Sequence, residues 1–168
     1  MIPARFASKR FPGKPLVPIA GVPMVVRVHR AAARAKGLES VGVATDDARI
    51  AAVCARWDVP VVRTGPHATG TDRVAEAVRG SEADVVVNIQ GDEPLLDPDA
   101  IEAVLGALER DPGAAMATVV HPLEPGALAD PHRVKVRLDA NERALAFDRH
   151  LDVSIGETGV WQHVGLYA

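Results

Sequence analysis

Apolar and polar positions along this chain follow two rhythms, and each predicts a different element. Short runs rich in β-branched residues, "SVGVAT" (40–45), "VPVVR" (59–63), "DVVVNIQ" (84–90) and "AAMATVV" (114–120), are apolar on both faces, as strands buried in a parallel sheet are. Between them, residues 22–35, 46–57, 71–80 and 97–111 carry apolar side chains at helical spacing. The last of these has explicit boundaries: Asp97 as N-cap and Pro98 at the first helical position, then a stop at Asp111, Pro112 and Gly113. Alternating strands and helices predict an α/β fold with a mainly parallel sheet and helices on both faces. Beyond position 121 the rhythm changes. "VKVRLD" and "ALAFD" flank "ANER", which reads as an antiparallel hairpin.

Composition narrows the class. With 168 residues, 48% of them hydrophobic, the chain is long enough for one compact domain, with a first half over 1–120 and a hairpin-bearing half over 121–168. The net charge of -3 disfavours general nucleic-acid binding and makes any basic cluster a local feature. The single Cys54 excludes an intramolecular disulfide and sits in a helical pattern, where a buried thiol is expected. No apolar run approaches the roughly 20 residues that span a bilayer, so no membrane insertion is expected and the cytoplasm is the default compartment. Both ends are abrupt: "MIPARF" suits the last residues of a first strand and "QHVGLYA" alternates like a strand and stops. The expectation is a piece of a longer protein.

In open α/β sheets ligands sit outside the carboxyl ends of the strands, so the loops after the strands hold the candidate chemistry. The first loop, "RFASKRFPGK" (5–14), crowds Arg5, Lys9, Arg10 and Lys14 around Gly13. Those cations suit phosphate oxygens, and a solvated basic loop is the alternative. It is not a Walker loop, because Ser8 stands where the first Gly belongs and Pro15 where Ser or Thr should follow the Lys. A second loop, "NIQGDEPLLD", places Asp92 and Glu93 straight after a strand. Asp92 suits Mg²⁺ beside a polyphosphate, and plain turn chemistry is the alternative. A third, "HATGTDRVAE", presents amides around Gly70 to a base edge or phosphate, or is simply a helix cap. In the fourth, "VATDDARI", Thr45 and Asp46 are expected to cap the next helix. The histidines at 29, 67, 121, 132 and 150 show no metal-ligand spacing.

"IPARFASKRFPGKPL", "GVPM", "VATDDARI", "ATGTDRVAE", "VNIQGDEPLLDPDAI" and "HVGLYA" occur in an order and spacing that resembles the bacterial 3-deoxy-manno-octulosonate (Kdo) cytidylyltransferases. The resemblance runs to about position 149 and resumes at 162, with "QGDEP" and "GTDR" its sharpest members. It implies a Rossmann-like nucleotidyltransferase fold, and transfer of CMP from CTP to Kdo with release of pyrophosphate for lipopolysaccharide assembly. By the same resemblance Arg5, Arg10 and Lys14 contact the triphosphate, with Ser8 in the same loop, and Thr69, Gly70 and Arg73 lie around the nucleotide. Gln90 reaches toward the sugar and Asp92 is one of two Mg²⁺ ligands. His163 and Tyr167 line the sugar-acid pocket, joined by Arg149 of "FDR", where the family has Ser in place of Asp148. Lys14, Arg10 and Asp92 are then the catalytic set. Family members pair as homodimers through their second half, here about 114–168, and continue past "GLYA" into a region bearing the second metal-binding aspartate. Another sugar or sialic acid nucleotidyltransferase, or a non-catalytic nucleotide-binding module, would share the fold.

Overall fold

Three short strands begin the architecture: β1 (Ile2–Pro3), β4 (Val43–Thr45) and β5 (Val61–Arg63) form a parallel sheet in the order β1-β4-β5. This computed structural model describes residues 1–7, 11–124, 126–150 and 159–168. Registry pairs Ile2 with Val43 and Val43 with Val61, and the three strands run the same way. Their carboxyl ends, and hence the loops starting at Arg5, Asp46 and Thr64, therefore share one edge. Between β1 and β4 the chain makes a 3-10 turn (Lys14–Leu16), a small antiparallel pair β2 (Pro18–Ile19) and β3 (Val22–Pro23), and the helix α1 (Met24–Ala32).

The helices bury the faces their patterns predict. In α1, Met24, Val25, Val28, Ala31 and Ala32 form one buried stripe. In α2 (Ala48–Arg56), Ile50 and Cys54 are fully buried one turn apart, and burial pushes the Cys54 thiol up to about 11, which leaves it an inert core group. Helix α2 packs on β4 and β5, while α3 (Gly70–Ala77) packs on β1 and β4. Helix α4 (Pro98–Arg110) starts as read, with Asp97 accepting from the Asp99 amide at 3.1 Å, and ends at Asp111. The cap of α2 differs from expectation. Asp47 holds it, accepting from the amides of Arg49 (2.9 Å) and Ile50 (3.4 Å), whereas Thr45 is fully buried and Asp46 pairs with Arg73.

The strand expected over 84–90 shrinks to an isolated bridge between Asn88 and Tyr167. Its flanking bonds are few: Asn88 exchanges amide–carbonyl bonds with Tyr167 (2.8 and 3.4 Å), while on the other side Met1 donates its amino group to the Val87 carbonyl at 2.6 Å and accepts from the Ile89 amide at 3.0 Å. Only Val87, Asn88 and Ile89 are buried there, and Val85 is exposed. The strand expected over 114–120 is displaced to β6 (Thr118–Pro122).

The chain divides into two compact units, Met1–Ala117 with Leu166–Ala168, and Thr118–Gly165. Within the second, β7 (Lys135–Leu138) and β8 (Ala144–Asp148) form the expected hairpin, with Val136 opposite Phe147 and an irregularity at Arg137/Leu138. Asp139 closes its turn by accepting from the amides of Asn141 and Arg143, both at 2.8 Å. Strand β9 (Val160–Tyr167) lies antiparallel on the other edge of β7, giving the order β6-β9-β7-β8. Among the described residues no helix is long and apolar enough to cross a membrane.

Candidate active site

A cleft of about 450 Å³ opens at the carboxyl edge of the parallel sheet, within the first unit. Its walls come from three of the loops singled out by sequence: Arg5 and Lys14 from the first, Thr69, Gly70 and Arg73 from α3, and Gln90 and Asp92 from the turn after the Asn88 bridge. Close backbone approach makes that convergence possible. A Cβ on Gly91 would lie 2.8 Å from the Pro3 carbonyl oxygen, and one on Gly70 would lie 3.1 Å from the Pro3 ring, so only glycine at 91 lets this turn reach β1.

The basic loop is closed by a hydrogen bond from the Gly13 amide to the Phe6 carbonyl at 2.9 Å. Gly13 has φ +74°, the left-handed conformation that glycine adopts at least cost, and it starts the turn that carries Lys14. Lys14 Nζ then meets Asp92 Oδ2 at 2.6 Å, joining loops 78 positions apart in sequence. Both partners are substantially exposed, so the pair can open to admit a ligand that offers the ammonium an anion and the carboxylate a cation. Arg5 Nη1 donates to the Ala68 carbonyl at 3.2 Å and sits on the same cleft. Beside Asp92, Glu93 has its carboxyl pushed up, first by burial and then by the neighbouring charge.

Arg73 is differently placed. It is only 3% exposed, and its guanidinium donates to Thr64 Oγ1 (2.6 Å) and the Gly65 carbonyl (3.3 Å) and pairs with Asp46 Oδ1 (3.0 Å). One turn further on, Glu76 accepts from the Gly65 amide at 3.1 Å and from His67 Nε2. Those bonds, His67 first, hold the Glu76 carboxyl below its ordinary value. Helix α3 thus clamps the loop after β5, and Thr69 caps it by accepting from the Asp72 amide at 3.1 Å.

Tyr167 also belongs to the first unit, where its hydroxyl contacts Asn88 Nδ2 at 2.9 Å and Thr71 Oγ1 at 2.5 Å. This ties the start of α3 to the segment leading into Gln90 and Asp92. Sequence reasoning missed Asn88 and Thr71, since nothing local marks two polar residues that meet through a tyrosine far along the chain. Arg149 and His163 fall in the second unit. Arg149 donates to the carbonyls of Pro131 (3.3 Å) and His132 (3.0 Å), and its own carbonyl accepts from the fully buried Lys135 at 2.8 Å. His163 Nε2 lies 2.8 Å from Thr118 Oγ1, with its ring edge-on to Phe147, and burial lowers its pKa. Ser8 and Arg10 lie outside the described residues.

Comparison with known proteins bears directly on this cleft. The family model described as cytidylyltransferase matches residues 1–158. A 3-deoxy-manno-octulosonate cytidylyltransferase of Anaeromyxobacter sp. (strain Fw109-5) is 48% identical over 174 residues, covering all of this chain and 70% of the relative. The chain belongs to the 3-deoxy-manno-octulosonate cytidylyltransferase family. An 8-amino-3,8-dideoxy-manno-octulosonate cytidylyltransferase of Shewanella sp. (strain W3-18-1) is 44% identical, covering all of this chain and 72% of the relative. Among solved structures, CMP:2-keto-3-deoxy-manno-octonic acid synthetase complexed with CTP superposes with a TM-score of 0.93 at 36% identity, over 99% of this chain and 70% of that one. The expected nucleotidyltransferase architecture therefore holds, with the antiparallel sheet as an addition to the parallel one.

Among the described residues no group of three or more His, Cys, Asp or Glu gathers as a metal cage. Mg²⁺ needs none where substrate phosphates complete its shell, and the half-exposed Asp92 carboxylate on the cleft is a hard oxygen donor of the type that would suit it.

Proposed function

We propose that this chain transfers CMP from CTP to Kdo, releasing pyrophosphate, in the cytoplasm and in the service of lipopolysaccharide assembly. The observation that carries the reading is the meeting of Lys14 and Asp92 at 2.6 Å in a cleft that Arg5 also lines. The CTP complex of the similar structure supports CTP as donor. Kdo is favoured over its 8-amino relative because the more similar relatives carry the Kdo name.

In the reaction a hydroxyl oxygen of the sugar acid attacks the α-phosphorus in line, the bond from that phosphorus to the β-bridging oxygen breaks, and the hydroxyl gives up its proton. Covalent help from the protein is unnecessary, so positioning and charge neutralisation supply the acceleration. The Lys14 ammonium turns from Asp92 to the phosphate oxygens and stabilises charge as it shifts onto pyrophosphate. Arg5 holds the triphosphate against the first loop, and Arg10 and Ser8 are assigned to the same task by resemblance. Thr69 and Gly70 flank the nucleotide, Arg73 braces that wall from beneath, and Gln90 faces the sugar. Arg149, His163 and Tyr167 are assigned to the sugar acid by resemblance alone. Mg²⁺, held through Asp92, would neutralise phosphate charge and orient the α-phosphate. Pairing of two chains through about 114–168 is part of the same reading.

The test is CTP binding by calorimetry together with pyrophosphate release in CTP and Mg²⁺, offered Kdo, its 8-amino analogue and sialic acid in competition. Release that requires Kdo and collapses in Asp92→Ala is expected. Preference for sialic acid, or CTP binding without release from any acid, would overturn the reading.

A further inference from the structure

Beside the cleft lies a smaller pocket of about 230 Å³ that shares Arg5 and Arg73 with it and is walled by Phe6, Asp47 and Arg49. The Arg49 guanidinium carbon sits 3.3 Å from the centroid of the Phe6 ring. The same guanidinium is gripped at two points by Asp47, Nε to Oδ1 at 3.0 Å and Nη2 to Oδ2 at 2.6 Å. Asp47 is itself immobilised as the cap of α2. Phe6 is joined to the nucleotide loop twice: its carbonyl accepts from the Gly13 amide at 2.9 Å, and its ring lies where a Gly13 Cβ would approach within 3.1 Å. Gly13 begins the turn that presents Lys14.

We propose that Arg49 is a positioning residue for nucleotide binding, acting through its stack on Phe6 to hold the Gly13–Lys14 turn against the cleft. Four links form the brace: α2 fixes Asp47, Asp47 fixes the plane of Arg49, that plane covers the Phe6 ring, and Phe6 fixes Gly13. A rigid planar cation suits this place. Stacking on an aromatic face and bidentate capture of a carboxylate are both guanidinium properties that an ammonium cannot reproduce together. Arg49 does not line the larger cleft, so its charge is spent on the brace and its influence on the nucleotide passes through Lys14.

The inference rests on CTP being the ligand of the cleft, and the experiment separates the two. CTP affinity is measured by calorimetry, and KM and kcat by pyrophosphate release, for the wild type, Arg49→Met, Arg49→Lys, Phe6→Leu and Phe6→Tyr, each with its Tm. Arg49→Met and Phe6→Leu are expected to weaken CTP binding to a similar extent, roughly three- to five-fold, in line with one exposed cation–π contact. kcat/KM for CTP should fall, through KM for CTP and, because Lys14 also stabilises the transition state, through kcat, while KM for the sugar acid stays within about two-fold. Phe6→Tyr keeps the ring and restores affinity, whereas Arg49→Lys keeps the charge and does not. In a Lys14→Met background, Arg49→Met adds no further loss. Full affinity in Arg49→Lys together with a loss in Arg49→Met would make Arg49 a direct charge contact and overturn the proposal. So would an undiminished effect of Arg49→Met in the Lys14→Met background, or unchanged CTP affinity in Phe6→Leu. Wild-type protein that binds no CTP would overturn the function itself and this inference with it.

Discussion

Lys14 and Arg73 are both cations expected at the nucleotide, yet the two regions that hold them use positive charge in opposite ways. Around Lys14 the turn is short, the partner is a single exposed carboxylate, and the ammonium itself is about one-third exposed. Around Arg73 the guanidinium is 3% exposed and engaged by Thr64, Gly65 and Asp46 at once. Water and ligand can compete for the first charge. The second is already committed to the fold, and withdrawing it would leave part-buried acceptors without their donor. Two residues with the same expected role thus divide into a group that can bind and a group that braces.

The sharpest way to break this contrast is Lys14→Met. It should lower kcat/KM about a hundredfold, the scale of losing one charged donor to a transition state, while Tm moves by no more than about 4 °C because exposed pairs contribute roughly 0–1 kcal/mol. A large Tm loss would make Lys14 structural. Arg73→Met should behave the other way round, destabilising by about 2 kcal/mol in denaturant titration, since the acceptors on Thr64 and Gly65 lose their donor. If Arg73→Met keeps full stability but loses CTP, the buried cation serves the ligand after all. Gly91→Ala tests the wall shared with β1. A Cβ 2.8 Å from the Pro3 carbonyl must displace backbone, so a loss of about 1–2 kcal/mol with weaker CTP binding is expected from paired melting and calorimetry.

The smallest effect is set by pH. Glu76 has a depressed pKa in the fold, with His67 the main cause, so its contribution to stability is fully present above the unfolded value of 4.5 and is lost as pH falls through the folded value. Acid titration of wild type against Glu76→Gln should therefore show two stability curves that run parallel above about pH 5 and converge below it. Curves that stay parallel through that range would remove Glu76 from the clamp on residues 65–67.

How much of this was legible depended on how local each signal is. Helix α4 could be read to within a residue because Asp97, Pro98 and the stop after Arg110 each act on their own backbone neighbours. The cap of α2 could not, because "TDD" offers three adjacent capping side chains. The choice of Asp47 follows from burial of Thr45 in β4 and capture of Asp46 by Arg73. The run 84–90 is apolar enough for a central strand, yet it pairs through one bridge, Asn88 with Tyr167, a partner far along the chain that no pattern within the run records.

The candidate site divides along the same line. Residue types and turn chemistry, Gly13 before Lys14 and Gly91 before Asp92, were present in the sequence and placed cations and a carboxylate at strand ends, where α/β sheets present them to ligands. Family membership was legible too, because those short motifs recur in order along the chain. Tertiary structure alone decided which charges face the cleft and which are spent inside, that Tyr167 meets both Asn88 and Thr71, and that Arg49 stacks on Phe6. The physical reason is range. Propensity and turn conformation act within a few residues, whereas desolvation and charge pairing depend on whatever the fold brings within a few ångströms, and here that includes partners 78 and 96 positions apart.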